Sequence, residues 1–216
     1  MTRVYPLGRI LMAWWYRLWT RKIEGTENLP NPPFIIASNH ESYYETMVYH
    51  CTIAPKLNTK IHALVNGNYW RYLIPRLALN STEQIPIDVS KSEDSKKNNE
   101  NALRKAAEYL KKGDIVMVFP EGHRSKDGNL LKAKTGIARL ALMSKVPVVP
   151  IGVIGAREVL PRGAIFPRFK RCEFRIGKQI TFEKYFKKKI TEKELREITK
   201  SIMQKIAKLT NKKYTY

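Results

Sequence analysis

Apolar positions along the chain follow two different periods. Unbroken runs of strand length occur at Phe34-Ile35-Ile36-Ala37, Ile61 to Val65, Ile115-Val116-Met117-Val118-Phe119 and Val148-Val149-Pro150-Ile151-Gly152-Val153. Runs without strict alternation predict strands covered on both faces. Pro150 within the last run argues for an irregular or edge strand, and Cys172 to Ile176 reads as an edge strand. Between these runs the period lengthens to that of a helix. Ala102, Leu103, Ala106, Ala107 and Leu110 form one stripe that stops at Lys111-Lys112-Gly113, and Gly136 to Met143 predicts a second helix. Thr191-Glu192-Lys193-Glu194 is a capping box opening a last helix through roughly Leu209, with Leu195, Ile198, Ile202, Ile206 and Leu209 on one face. Lys91 to Glu100 is polar and reads as a loop, and Leu29-Pro30-Asn31-Pro32-Pro33 as a stiff connector. Strands separated by helices predict an α/β fold: a single domain with a mostly parallel, buried sheet flanked by helices.

The first 24 residues have their own pattern. Arg3, Arg9, Arg17, Arg21 and Lys22 surround the apolar run Ile10 to Tyr16. Seven residues fall short of the roughly 18 that a spanning helix needs, and no small-residue cleavage site follows. At helical spacing Leu7, Leu11, Trp14, Trp15 and Leu18 share a face with Arg9 opposite, an amphipathic helix suited to the headgroup level of a bilayer. The same stripe also fits a helix packed on its own domain. The chain thus divides into an interface segment at 1–24, a central domain at 25–182, and a basic helix and tail at 183–216.

Composition narrows the partners. The 216 residues carry 40 Lys+Arg against 19 Asp+Glu, a formal charge of +21, which attracts polyanions: nucleic acid, anionic lipid or phosphorylated small molecules. No nucleic-acid reading module is visible, so nucleic acid is not the expected partner. The charge is densest at 183–216, with eleven basic residues to four acidic, and Arg157 to Lys178 has seven to two. Cys51 and Cys172 are far apart and in no metal-ligand spacing, so neither a disulfide framework nor a metal site is expected, and the chain reads as intracellular.

Two constellations carry candidate chemistry. His40 follows the first buried run and Glu45 comes five residues later. In a continuous helix such residues diverge by about 140°, so they meet only if His40 lies on the strand-to-helix turn. There a carboxylate on Nδ1–H would fix the tautomer and leave Nε2 free as a base for a hydroxyl nucleophile. A histidine that merely caps or packs is the alternative. The second constellation, Phe119-Pro120-Glu121-Gly122-His123-Arg124-Ser125, follows the most apolar strand. A carboxylate for a ligand hydroxyl, a glycine for close approach and a guanidinium for phosphate point to a polyol phosphate site. His50 and His62 have no acid at comparable spacing and read as structural or solvent-facing, and Cys51 reads as a small buried side chain rather than a nucleophile.

Asn39-His40 with its acid, then Phe-Pro-Glu-Gly with Arg124-Ser125, then Val146-Pro147-Val148-Val149-Pro150-Ile151, together with the lead-in Ile23 to Pro30 and the stretch Leu130 to Ala141, resembles the glycerolipid acyltransferase family, of the 1-acylglycerol-3-phosphate type, over about residues 10 to 180. The resemblance implies direct transfer of a fatty acyl group from acyl-CoA or acyl-carrier protein to the free hydroxyl of a lysophosphatidate-like acceptor, in phospholipid synthesis at the cytoplasmic face of a membrane. It needs no cofactor and no covalent intermediate. By the same resemblance His40 is the base, Glu45 stands for the family's aspartate, and Glu121, Gly122 and Arg124 help hold the acceptor. Three positions depart from the pattern. Glu45 is one methylene longer than aspartate, His123 replaces a threonine and joins the candidate acceptor contacts, and Val89 occupies the place of a phosphate-binding arginine. Lys91 is the nearest point charge that can substitute. The alternatives are another lysolipid acceptor, or a lipid-binding homologue impaired in catalysis.

Overall fold

The unbroken apolar runs are strands because each is covered on both sides, and different helices cover the two sides. A computed structural model describes residues 16–90, 92–187 and 189–216. Among them seven strands form one sheet: β1 (Thr20–Glu24), β2 (Ile35–Ser38), β3 (Ile61–Asn66), β4 (Ile85–Ile87), β5 (Ile115–Val118), β6 (Val148–Ile154) and β7 (Cys172–Ile176). Their order is β1-β7-β6-β2-β5-β3-β4, parallel throughout except where β6 meets β7. The helices are α1 (Tyr44–Leu57), α2 (Leu73–Ser81), α3 (Ser95–Lys111), α4 (Gly136–Ser144), α5 (Ala156–Val159) and α6 (Glu192–Thr210). Alternation along β2 divides the core. Ile35 and Ala37 join Ala106 of α3, Leu140 of α4 and Ile202 of α6, while Phe34 and Ile36 join Val48 of α1 and Val159 of α5.

The expected α/β architecture is present, with corrections at its edges. β6 is an interior strand rather than an edge, and the irregularity expected from Pro150 is confined to its β7 side, where the pairing is interrupted. Its even-numbered residues turn toward β7, and the donor that Pro150 lacks falls between the β6–β7 ladder, which begins at Ile151↔Ile176, and the separate Val148↔Ile180 bridge. The Pro150 carbonyl still accepts from Gly177 N–H at 2.9 Å. β7 is interior as well, because β1 pairs alongside it and forms the true edge. β1 therefore places residues 20–24, assigned above to the interface segment, within the sheet. The polar stretch read as a loop at Lys91 to Glu100 turns helical at Ser95, where α3 starts. Its solvent-facing first turns carry no apolar stripe to betray them.

The capping box forms at Thr191 and Glu194, and α6 buries Leu195, Ile198, Ile202 and Ile206. A Cβ on Gly152 would lie 2.6 Å from Leu209 Cβ, so only glycine lets α6 seat directly on β6. At the amino end, residues 16–19 are helical, and Tyr16 and Trp19 pack against the core while Leu18 is exposed. The rest of the expected amphipathic helix, including Leu7, Leu11, Trp14 and Trp15, lies outside the described residues. Among the described residues no helix is long and apolar enough to cross a membrane.

Candidate active site

β2 ends at Ser38 and α1 starts at Tyr44, so His40 sits on the turn at the carboxyl end of the sheet, where open α/β folds present ligand sites. The spacing of five resolves as the turn requires. His40 Nδ1 lies 2.9 Å from Glu45 Oε2, and the other oxygen, Oε1, accepts the Glu41 and Ser42 backbone N–H groups at 2.6 Å each. The turn is folded around this one fully buried carboxylate. The extra methylene of glutamate gives it the reach to close the backbone and orient the ring together. The imidazole stacks on Phe119 with centroids 3.9 Å apart at 16°. Its Nε2 makes no hydrogen bond among the described residues, and its side chain is 13% exposed.

Burial, with the Arg124 charge adding to it, pushes the His40 imidazole down to about 3, so it is neutral around pH 7, as a general base must be. Burial pushes the Glu45 carboxyl up, helped by neighbouring Glu41, while the two amide donors and Arg124 oppose that rise. Three of the amides around the start of α1, candidates for stabilising an oxyanion, are already engaged. Those of Glu41 and Ser42 serve Glu45, and that of Tyr44 donates to Ser42 Oγ at 3.2 Å.

The second constellation grips the main chain of His40 from the other side. Glu121 Oε1 accepts from the His40 N–H at 3.2 Å, Oε2 accepts from the Leu131 N–H at 2.8 Å, and the Ser125 N–H donates to the His40 carbonyl at 2.8 Å. Glu121 is thus a buried brace with both oxygens on backbone amides, rather than a carboxylate turned out to a ligand. Burial pushes it up to about 7. Gly122 takes φ +73°, and a Cβ there would meet the Lys134 side chain at 3.2 Å. The Arg124 guanidinium lies 3.8 Å from the Tyr43 ring centroid, and the Tyr43 hydroxyl is hydrogen-bonded to that of Tyr69. His40, Glu45, Glu121, Gly122 and Arg124 therefore come together. His123 is exposed in the same loop, and Lys91 lies outside the described residues.

Some contributors are placed by partners that no local pattern reveals. Asn39 clamps β2 to β6 by donating Nδ2–H to Val153 O at 2.9 Å and accepting Val153 N–H at 2.8 Å. Ser42 Oγ reaches the Leu160 carbonyl at 2.7 Å. Asn39 stands beside His40, yet its partner is 114 residues away and no local pattern reveals it. His62 is structural: Nδ1 meets Glu83 O at 2.9 Å and Nε2 meets Asp114 Oδ2 at 3.1 Å. His50 uses both nitrogens on backbone carbonyls of Thr46 and Ile61. Burial pushes the Cys51 thiol up to about 11, unsuited to a nucleophile.

A family model described as Acyltransferase matches residues 20–154, from β1 to the end of β6, taking in the His40 turn and the loop after β5. The chain belongs to the acyltransferase family. Among the relatives of this chain are 1-acyl-sn-glycerol-3-phosphate acyltransferases from three sources. The chloroplastic protein of Arabidopsis thaliana is 32% identical over 69% of this chain and 40% of its own length. That of Saccharomyces cerevisiae is 32% identical over 79% of this chain and 55% of its own. That of Bacillus subtilis is 24% identical over 88% of each. The chain thus spans about two fifths of the length of the chloroplastic relative. A crystal structure of the 1-acyl-sn-glycerophosphate acyltransferase from Thermotoga maritima shares the fold with a TM-score of 0.66 at 23% identity, covering 97% of this chain and 78% of that one.

Proposed function

We propose that the protein transfers a fatty acyl group from a thioester donor, acyl-CoA or acyl-carrier protein, to the free hydroxyl of a lysophosphatidate-like acceptor. The observation that carries this reading is a neutral histidine with Nδ1 on a buried carboxylate and Nε2 unengaged, at the carboxyl end of the sheet. Nε2 takes the proton as the acceptor oxygen attacks the thioester carbonyl. The C–O bond forms, the C–S bond breaks, and the imidazolium, steadied by Glu45, returns the proton to the departing thiolate. Arg124, held over the Tyr43 ring, supplies a guanidinium for the acceptor phosphate, the role that Val89 does not fill. The names of the relatives, 1-acyl-sn-glycerol-3-phosphate acyltransferases, support the acceptor. The 2.9 Å contact of Glu45 favours a working site over a lipid-binding homologue that has lost catalysis.

Membrane association belongs to the same proposal. Leu73, Ile74 and Leu77 of α2 and Ile165, Phe166 and Phe169 of the loop before β7 are exposed, and Arg71, Arg76, Arg162, Arg168 and Lys170 stand among them in sequence. Apolar tips among cations suit an anionic bilayer surface. Purified protein incubated with labelled acyl-CoA or acyl-carrier protein and a panel of lysolipids, read by mass, tests the reaction. A diacyl product from lysophosphatidate is the expected result, and no product with any donor overturns the reading. Co-sedimentation of F166A/F169A with anionic vesicles tests the membrane face, where undiminished binding counts against it.

A further inference from the structure

Three carboxylates are buried around the His40 turn: Glu41 and Glu121 are each 3% exposed and Glu45 is fully enclosed. Glu45 and Glu121 are held by backbone amides and by His40. Glu41 draws its partner from the far end of the sequence. Lys212, two residues beyond α6, places Nζ 2.5 Å from Glu41 Oε1 and 2.5 Å from the Gly128 carbonyl, so one ammonium joins the His40 turn, the loop after β5 and the segment after α6. The lysine is delivered there by a defined backbone. Asn211 takes φ +55°, the Lys212 N–H bonds to the Ala207 carbonyl at 2.9 Å, and the Tyr214 hydroxyl accepts from the Ala133 N–H at 3.1 Å.

We propose that Lys212 is a positioning residue of the active site: by neutralising buried Glu41 it keeps the His40–Glu45 pair in its working geometry and charge state. Two like charges in one buried turn destabilise each other, and a buried carboxylate that loses its cation takes up a proton or swings out. Glu41 and Glu45 are bound to such an outcome together, because the Glu41 backbone N–H donates to Glu45. The charge of Glu41 also pushes the Glu45 carboxyl up, and Lys212 pulls that of Glu121 down. Other titratable or charged groups face the cluster from neighbouring elements. Arg124 comes from the loop after β5, Arg157 of α5 lies beside Gly128 with its guanidinium on the Lys126 carbonyl, Tyr49 and Cys172 lie deeper, and Tyr214 sits near Glu121. Among the described residues Lys212 is the cation in ion-pair contact with Glu41.

The kinetic half of this inference rests on the acyl-transfer reading; the stability half does not. The test compares wild type, K212M, K212R, E41Q and K212M/E41Q. K212M is expected to lower kcat about tenfold with the donor KM nearly unchanged, and to move the acid limb of the pH profile up by about one unit. K212R restores most of the rate, and adding E41Q to K212M returns the limb toward its native position. In melting experiments, which need no turnover, the Tm deficit of K212M is larger at pH 8 than at pH 5.5, and E41Q removes that difference. A deficit equal at both pH values and not relieved by E41Q, or native kinetics in K212M, overturns the proposal. If wild type transfers no acyl group, the functional reading falls and the melting series alone decides whether Lys212 neutralises Glu41.

Discussion

Two histidines of this protein have nearly the same equipment. His40 has a carboxylate at 2.9 Å and an aromatic ring stacked at 3.9 Å; His62 has a carboxylate at 3.1 Å and the Tyr109 ring stacked at 3.7 Å. They differ in what remains unspent. His62, the second residue of β3, lies toward the amino end of the sheet, fully buried, with both ring nitrogens used. His40 lies past the carboxyl end of β2 with Nε2 unengaged. A histidine beside an acid is therefore not a sufficient mark of chemistry. Position on the sheet and an unused nitrogen separate the proposed base from a strut.

The widest gap between the two appears on truncation. H40A is expected to reduce acyl transfer by at least ~10³-fold per folded molecule and also to lower stability, because it leaves Oε2 of the buried Glu45 without its partner. H62A should leave kcat per folded molecule within about twofold but cost about 2 kcal/mol in urea unfolding, because it strands the Asp114 carboxylate and the Glu83 carbonyl. Equal rate losses in the two variants would erase the distinction.

The partner carboxylate comes next. E45Q presents an amide where the imidazole needs an acceptor and should cost about 10³-fold in kcat. E45D keeps the charge but is shorter, so it cannot hold the two turn amides and the ring together; a loss of about 10- to 100-fold is expected. Native activity in E45D would mean that the carboxylate orients the ring and nothing more.

A smaller effect belongs to Glu121, which holds the backbone of His40. E121Q turns an amide toward one of two N–H donors and should lower kcat about tenfold. Its pH signature is specific. Burial holds the Glu121 carboxyl at about 7, against about 4.3 in an unfolded chain. A carboxyl raised on folding binds its proton more tightly in the native state, so its contribution to stability is full at low pH and declines as pH rises toward 7. The stability of wild type relative to E121Q should thus grow as pH falls from 7.5 to 4.5, and a flat difference in urea unfolding would contradict the burial argument. The mildest change is R124K. A point charge in place of a planar fork should raise the acceptor KM about tenfold and leave kcat within about twofold. An unchanged KM would remove Arg124 from phosphate recognition.

The parts of this picture that were legible share one property: cause and effect lie close together in the chain. The buried strands, the α3 stripe at Ala102 to Leu110, the Thr191 capping box and the His40–Glu45 spacing all depend on residues a few positions apart. What escaped depends on remote partners. β7 reads as an edge until β1, some 150 residues earlier, pairs with it. β1 itself, Thr20-Arg21-Lys22-Ile23-Glu24, has an edge strand's charge and no apolar run. α2 exposes Leu73, Ile74 and Leu77 and so lacks the buried stripe that marks a packed helix. Glu121 looked like a ligand residue because nothing local shows that its two oxygens are spent on His40 and Leu131. The aromatic shelf under His40 was written in the same motif, at Phe119, but a phenylalanine closing a buried strand reads as core.

The seat of α6 on Gly152 sets an order of events in the life of the chain. β6 is interior, and its cover on one face is the last helix. A polypeptide emerging amino terminus first carries the His40 turn, both constellations and every strand before the layer that roofs β6 exists. Until Leu209 arrives, the central strand has an open apolar flank. Among the described elements α6 is therefore the last to join the sheet, and a nascent chain stalled ahead of it holds the His40–Glu45 pair on an unfinished sheet.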